Sequence, residues 1–150
     1  TGRLPTAALV FNKAARDGSG KANFRMSESL TGEVYGAVHR ISPKQERMLN
    51  RFEALGRGYH KIDVNILLKN DKEVTCFTYQ AMPGYTDPSI LPYTWYKQLV
   101  VFGASYLEFP GEYIRTLKNT PAVEDPCSRR AKKNRLLIQK MQLHKKPPSG

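Results

Sequence analysis

Two strand-like runs joined by a short turn constrain the fold of this chain more than any other feature. Residues 59–69 alternate apolar and polar side chains, so that Ile62, Val64 and Ile66 lie on one face. Residues 73–82 are also strand-like, and residues 70–72 form the turn between the two runs, although this turn lacks the favoured Asn-Gly pair. Because the strands of a hairpin pair antiparallel, we expect a sheet that is at least partly antiparallel.

The remaining segments predict two further strands and several helices around this hairpin. Strands are expected over residues 4–12 and 32–41, and loops over residues 16–23 and 83–92. Helices are expected over residues 43–55, 93–106, 111–117 and 128–144. The fold class that follows is α/β of the α+β kind, with a mixed, partly antiparallel β-sheet or small barrel and flanking helices.

The positive charge of the chain is concentrated near its C-terminal end. The 150 residues suffice for one domain with a core, and the net charge is +11. Residues 127–150 contain eight Lys and Arg and no acid, so we divide the chain into a domain over 1–120 and a basic helix or tail over 121–150. A solvated tail is the preferred interpretation. A helix docked by its apolar half, an acidic or RNA partner, and a homodimer contact are the alternatives.

Composition and motif spacing argue against several classes of protein. No apolar run approaches the roughly 20 residues of a membrane span, and no secretory signal is visible. Cys76 and Cys127 provide neither a disulfide framework nor a metal-ligand spacing. We therefore expect a cytoplasmic protein with no membrane partner. The glycine-rich turn at residues 18–21 lacks the spacing of a phosphate-binding loop, and His39 is interpreted as a structural histidine.

Residues 42–58 read as one short helix that carries an acid to a glycine break. Ser42 is a good N-cap, and Gln45 three residues later completes a capping box. Gly56 is suited to end the helix because glycine tolerates the left-handed conformation. Glu53 lies at the edge of the apolar stripe of this helix. Partial burial there would raise the pKa of Glu53 and make it a proton acceptor near neutral pH.

Each of these features also has a purely structural interpretation. The alternative for Glu53 is a solvated glutamate that pairs with Arg57 or Lys44, and spacing alone favours it because this is the common case on helices. Tyr59 and Tyr79 lie near strand ends, where their hydroxyl groups either line a pocket or simply pack across the strands.

Several local motifs occur in the order and spacing that characterise one enzyme family. The motifs are Glu33-Val34-Tyr35-Gly36-Ala37-Val38, Leu49-Asn50-Arg51-Phe52-Glu53, Gly58-Tyr59, Cys76-Phe77-Thr78-Tyr79, Leu91-Pro92 with Tyr96, Gly103-Ala104, Phe109-Pro110 and Tyr113-Ile114. Together they resemble the gamma-glutamylcyclotransferase family over residues 3–118. The stretch over residues 11–22 also resembles bacterial-type members of that family.

The resemblance implies an enzyme that converts a gamma-glutamyl compound to 5-oxoproline and an amine or amino acid. It places the catalytic acid-base group at Glu53 and makes Tyr59, Tyr79 and Tyr96 candidates for lining the substrate pocket. It implies no metal and no cofactor. Glutathione-type peptides, gamma-glutamyl amines and biosynthetic intermediates all remain open as substrates.

The chain departs from the family pattern in two places. The family opens with a Tyr-Gly-Ser-Asn loop whose amides bind the glutamyl carbonyl, and no such motif occurs here. Family members usually have Gly after the catalytic Glu, whereas this chain has Ala54. Either the N-terminal strand and its loop precede Thr1, or the protein is a natural truncation that has lost half of its site. In both cases we expect these 150 residues alone to be weak or inactive. A non-catalytic domain whose basic tail binds nucleic acid is the alternative function.

Overall fold

The computed structural model describes residues 1–27, 31–53 and 55–143. Its contacts divide the chain into two compact units, Thr1–Ile90 and Leu91–Gly150. The first, called the β-unit, contains β1 (Gly2–Pro5), β2 (Ala7–Ala14), β3 (Gly20–Met26), β4 (Glu33–Gly36), α1 (Pro43–Phe52), β5 (Tyr59–Leu68), β6 (Glu73–Ala81) and a 3-10 turn (Pro83–Tyr85). The second, called the helical unit, contains α2 (Thr94–Tyr106), α3 (Gly111–Asn119) and α4 (Ser128–Leu143).

The β-unit contains two antiparallel sheets. The larger has the strand order β4-β1-β5-β6, and the smaller is the hairpin of β2 and β3. The predicted hairpin is β5 and β6, whose register runs from Tyr59 opposite Ala81 to Leu67 opposite Glu73. Asp71 in the turn has a φ of 57°, which an Asp tolerates better than most residues. These sheets and the flanking helices confirm the predicted α+β class.

The core of the β-unit lies between the two sheets. Its buried side chains are Leu4, Ala7, Phe24, Val64 and Ile66. Strand alternation places Val64 and Ile66 on the inner face of β5, as the sequence predicts. Apolar burial of this kind is the main force that holds the sheets together.

A buried asparagine joins the smaller sheet to the edge of the larger one. The side chain of Asn23 in β3 accepts a hydrogen bond from the Ala81 amide at 3.0 Å. Its amide nitrogen donates to Asn12 Oδ1 at 3.0 Å. Gln80 Nε2 also donates to the Phe24 carbonyl at 3.2 Å. These bonds hold the β2–β3 hairpin against β6, where the candidate site described below is built.

Three predicted elements of the β-unit were wrong in extent. The strand predicted over residues 4–12 is two strands, because Thr6 has a φ of 51° and redirects the chain into the second sheet. Residues 20–23 were predicted as loop but begin β3, since they pair with residues 10–14 of β2. The strand predicted over residues 32–41 extends only from Glu33 to Gly36, where its pairing with β1 ends.

The basic tail is a docked helix, so its interpretation as a solvated segment was wrong. Ala131 and Ile138 of α4 are 2% and 6% exposed, and α4 packs against α2. Arg130 is bound to the buried Asp125 through contacts of 2.6 Å from both Nε and an Nη. The sequence pattern did not predict this packing, because the buried residues of α4 are the small Ala131 and the larger Ile138, which form no continuous apolar stripe among the charged residues. His144, the last residue of the predicted helix, lies outside the described residues.

The helices of the helical unit are linked by polar contacts as well as by apolar packing. Trp95 of α2 donates through Nε1 to Asp125 at 2.8 Å. Lys97 Nζ donates to the carbonyls of Lys118 and Thr120 at 3.0 and 2.8 Å, and so satisfies groups that the end of α3 leaves free. Among the described residues, no helix has the length and apolarity needed to cross a bilayer.

Candidate active site

Glu53 lies where α1 ends, in the β-unit. The capping box predicted at the other end is present: the Ser42 amide donates to Gln45 Oε1 at 2.8 Å, and the Gln45 amide donates to Ser42 Oγ at 3.3 Å. Glu53 is the C-cap, and its amide donates to the Leu49 carbonyl at 2.9 Å. Gly56 has a φ of 80°. The chain therefore turns sharply after Glu53 and enters β5.

The surroundings of Glu53 raise its proton affinity. The residue is half-buried, although α1 buries no residue fully and Phe52 beside it is 82% exposed. Burial raises the pKa of the Glu53 carboxyl above its ordinary value, and the positive charge of Lys13 opposes this increase. Within the described residues no ion pair joins Glu53 to Arg57 or Lys44. The interpretation of Glu53 as a solvated, paired glutamate is therefore not supported.

Lys13 is a residue of this site that the sequence analysis missed. It lies near the end of β2, and its Nζ is 5.2 Å from the centroid of the Tyr59 ring. Its Nζ also donates to the Ala14 carbonyl at 2.9 Å. Burial lowers the pKa of the Lys13 ammonium, and the charge of Glu53 raises it again. The only sequence signal was the family-like stretch over residues 11–22, which assigned no role to the lysine.

The two candidate tyrosines of the β-unit, Tyr59 and Tyr79, have different partners. The Tyr59 hydroxyl donates to the Ala22 carbonyl at 3.4 Å. The Tyr79 hydroxyl makes a short hydrogen bond to Oδ1 of Asn50, which lies one turn before Glu53 on α1. Burial raises the pKa of the Tyr79 hydroxyl, and the charge of Glu53 adds to the increase. The charge of Glu53 therefore acts on Tyr79, which Asn50 holds against α1, whereas Tyr59 contacts Lys13.

The sequence analysis also singled out Tyr96, Ala54 and His39. Tyr96 is in α2 of the helical unit, where its ring packs edge-on against Trp95 at 5.9 Å. Ala54 lies outside the described residues. His39 is exposed and borders a cavity of about 250 Å³ in the β-unit, which Cys76 also lines. In the described part of the chain no cluster of His, Cys, Asp and Glu has the arrangement of a metal site.

This arrangement can transfer a proton. A carboxylate with a raised pKa is a stronger base than an exposed one, and once protonated it gives the proton back readily. The Lys13 ammonium adds a positive charge near this carboxyl, and its Nζ lies 5.2 Å from the centroid of the Tyr59 ring. The arrangement therefore provides one carboxyl group that can accept a proton and return it.

Comparison with solved structures agrees with the predicted fold. A structure named gamma-glutamyl cyclotransferase superposes with a TM-score of 0.80 at 24% identity, covering 93% of this chain and 82% of that one. A crystal structure of an uncharacterized human protein superposes with a TM-score of 0.76 at 24% identity, covering 92% and 82%. Both comparisons show that the fold is shared.

Sequence comparison identifies the family to which the chain belongs. A curated protein from Bos taurus named gamma-glutamylcyclotransferase is 32% identical over 93 residues, which are 61% of this chain and 48% of the bovine protein. The chain thus spans about half the length of that relative. The AIG2-like family matches residues 33–117, a range that contains Glu53, Tyr59, Tyr79 and Tyr96. That range is more than half of the chain, which therefore belongs to the AIG2-like family.

Proposed function

We propose that this chain carries the acid-base site of a gamma-glutamylcyclotransferase-like enzyme. The name of the bovine relative, which is 32% identical over 93 residues, supports the reaction, and the AIG2-like family match over residues 33–117 contains Glu53. The observation that carries the proposal is the position of Glu53, a half-buried carboxyl at the end of α1 whose pKa burial raises. The chemistry requires a group of this kind.

The proposed reaction is an intramolecular transfer of the glutamyl acyl group. The carboxylate of Glu53 takes a proton from the α-ammonium of the substrate, and the freed amine attacks the γ-carbonyl carbon. A new C–N bond closes a five-membered ring. Glu53 then gives its proton to the leaving nitrogen, and the original amide C–N bond breaks. The second proton of the ring nitrogen passes to the released amine, so that 5-oxoproline and an ammonium ion are the products. No water is consumed, and one carboxyl both accepts and returns a proton.

Two further requirements of this reaction concern position and charge. Ring closure is intramolecular, so a site that holds the glutamyl chain folded back supplies much of the rate increase. Tyr59 and Tyr79 are proposed to line that site. The developing oxyanion also needs amide donors. The Tyr-Gly-Ser-Asn sequence that the family resemblance assigns to this task does not occur in these 150 residues, so we assign only the acid-base role within them.

The test is replacement of Glu53 by its neutral isostere. We expect Glu53→Gln to abolish release of 5-oxoproline from gamma-glutamyl dipeptides while circular dichroism shows an unchanged fold. The matched control is Glu73→Gln, because Glu73 is exposed at the beginning of β6, and it should retain full turnover. Turnover that survives Glu53→Gln would show that another group is the base.

A second candidate function is nucleic-acid binding through the exposed face of α4. Four exposed cations of α4 have no acidic partner among the described residues: Arg129, Lys132, Lys133 and Lys140. They recur at helical spacing on the side opposite the buried Ala131 and Ile138. Cations arranged in this way bind phosphates and give salt-dependent affinity.

The test of this second function is a charge-removal variant. Replacing the four cations of that face by Gln should abolish salt-dependent binding of a short RNA duplex, measured by fluorescence anisotropy. The control variant removes as many exposed cations from the β-unit: Lys44, Arg47, Lys69 and Lys72. Equal loss of binding in the two variants would indicate general charge attraction and would exclude α4 as a specific surface.

A further inference from the structure

We propose that Lys13 binds the α-carboxylate of the gamma-glutamyl substrate while Glu53 faces the α-ammonium of the same head group. This inference rests on the proposed function and extends it, since it assigns the group that recognises the free amino-acid end of the substrate. It depends on four features of the structure around Lys13.

The first feature is the way β2 positions the lysine. The pairing of β2 with β3 shifts register between Val10 and Lys13. A bulge of this kind re-aims the side chains that follow it. The side chain of Lys13 is then held by two contacts, the Ala14 carbonyl at 2.9 Å and the face of the Tyr59 ring at 5.2 Å. An ammonium that contacts one carbonyl and one ring face still has donor capacity for an anion.

The second feature is the space that Gly58 leaves for this ammonium. Gly58 is buried just before β5. A Cβ atom at Gly58 would lie 3.3 Å from Lys13 Cε and 3.4 Å from Lys13 Nζ, which is closer than side chains normally approach. The ammonium is therefore seated against bare backbone, and the turn that follows Glu53 is part of its seat.

The third feature is the absence of a direct ion pair with the nearby acid. The charge of Lys13 lowers the pKa of Glu53, and the charge of Glu53 raises the pKa of Lys13. Among the described residues, however, no ion pair joins the two side chains. Two opposite charges that are close but not in contact match a zwitterion, whose ammonium faces the carboxylate and whose carboxylate faces the ammonium. A gamma-glutamyl compound has this head group, with both charges on one carbon atom.

The fourth feature is the distribution of the other charges near Lys13. Arg16 and Lys21 add positive potential, and Asp17 opposes it. Lys21 is already bound to Asp17 at 3.0 Å and to Ser19 Oγ at 2.7 Å. The Asp17 carboxylate also accepts bonds from the amide and hydroxyl of Ser19. Asp17 therefore binds Ser19 and Lys21 of its own turn. Lys13 is the cation whose charge acts on Glu53.

The experiment compares two substrates that differ only in the α-carboxylate. One is a gamma-glutamyl amide, and the other is the 4-aminobutyryl amide of the same amine, which cyclises to 2-pyrrolidinone. We expect Lys13→Met to lower kcat/KM for the gamma-glutamyl substrate by roughly 10- to 100-fold, the range of a charge-assisted hydrogen bond. On the high-pH plateau of the rate profile, where Glu53 is deprotonated in both proteins, the same variant should change kcat/KM for the 4-aminobutyryl substrate by less than about 3-fold. Lys44→Met, at an exposed lysine of α1, should change neither.

A binding measurement separates failure of this inference from failure of the proposed reaction. In the Glu53→Gln background, calorimetry should show that Lys13→Met weakens binding of the gamma-glutamyl amide and leaves binding of the 4-aminobutyryl amide unchanged. If Lys13→Met weakens binding of both amides equally, or of neither, Lys13 does not bind the α-carboxylate. This conclusion holds whether or not turnover is found. If binding of the gamma-glutamyl amide depends on Lys13 but the unmodified protein shows no turnover, the proposed cyclisation is contradicted. The assignment of Lys13 to the α-carboxylate is then still supported.

Discussion

The Nζ atom of Lys13 lies 5.2 Å from the centroid of the Tyr59 ring, so that a cation of β2 faces an aromatic ring at the beginning of β5. This contact crosses from the smaller sheet to the larger one. It brings a lysine to the turn that follows α1, where Glu53 caps the helix. The candidate site is therefore assembled from three elements that are distant in sequence, and its electrostatics depend on their packing.

The pH dependence of turnover should report the pKa of Glu53. Burial raises that pKa above 4.5, and the positive charge of Lys13 lowers it in part. Because the base must be deprotonated to act, kcat/KM should rise with pH through a pKa above the ordinary glutamate value. Removing the lysine charge should move this rise to higher pH.

The measurement for this prediction is kcat/KM for the 4-aminobutyryl substrate from about pH 4 to about pH 9, in the unmodified protein and in Lys13→Met. That substrate has no α-carboxylate, so only the effect of Lys13 on Glu53 remains. Lys44→Met is the control and should leave the profile unchanged. A shift to lower pH in Lys13→Met would contradict the electrostatic relationship.

A methyl group at Gly20 should destabilise the β-unit strongly. A Cβ atom there would lie 2.0 Å from the Phe11 carbonyl oxygen, and backbone atoms cannot move aside cheaply. We expect Gly20→Ala to lower the free energy of unfolding by about 3 kcal/mol or more. Gly36→Ala is the control, because its Cβ would meet no atom within 4 Å. Urea denaturation followed by circular dichroism measures both, and similar midpoints would refute the close approach of the two strands.

A methyl group at Gly58 should affect activity more than stability. The atoms that it would approach are Cε and Nζ of Lys13, the far end of a flexible side chain that can shift. We expect Gly58→Ala to lower kcat/KM for the gamma-glutamyl substrate by about 3- to 10-fold, as displaced binding groups do, with a smaller change for the 4-aminobutyryl substrate. Gly84→Ala, which has open space at its Cβ, is the control. Loss of folding without a change in substrate preference would contradict this role of Gly58.

Asp125 should stabilise the helical unit in a pH-dependent way. Hydrogen bonds from Arg130, Trp95 and the Cys127 amide hold the pKa of Asp125 at about 2, below its ordinary 3.8. A depressed pKa in the folded state adds stability above the unfolded pKa, and this stability is lost as the pH falls from about 4 towards about 2. Asp125→Asn should therefore lower Tm at neutral pH. The difference in Tm between this variant and the unmodified protein should become smaller as the pH falls.

Fluorescence of Trp95, the one tryptophan of the chain, reports this unfolding directly because its indole donates to Asp125. The control is Glu124→Gln, since Glu124 forms only an exposed contact of 3.4 Å with Arg135. Exposed pairs of this kind contribute little. Equal Tm values for the two variants would show that the buried network does not stabilise the unit.

Local patterns in the sequence predicted the parts of the fold that local interactions determine. The capping box of Ser42 and Gln45 depends on four consecutive residues, and it is present. The β5–β6 hairpin follows from alternation in two adjacent runs, and its inner face holds Val64 and Ile66 as predicted. Glu53 was predicted at a helix end for the same reason, because its position depends on the cap and on the glycines that follow.

Features that depend on distant residues escaped prediction. Lys13 approaches Tyr59 and Gly58 only because the β2–β3 hairpin packs on the larger sheet. The break at Thr6 depends on pairing of β1 and β2 with different partners. The tail was predicted as solvated because its charges dominate the pattern, whereas Asp125 and the face of α2 supply the contacts that dock it.

The most direct test of the account is the identity of the products formed from a gamma-glutamyl dipeptide. Mass spectrometry of the reaction mixture should show 5-oxoproline and the released amino acid in equal amounts, and no glutamate, because the proposed ring closure consumes no water. Glutamate as the product would indicate hydrolysis by an activated water and would contradict the cyclisation. Recovery of the unchanged dipeptide after incubation with the complete protein would contradict the assignment of this chain to a catalytic site.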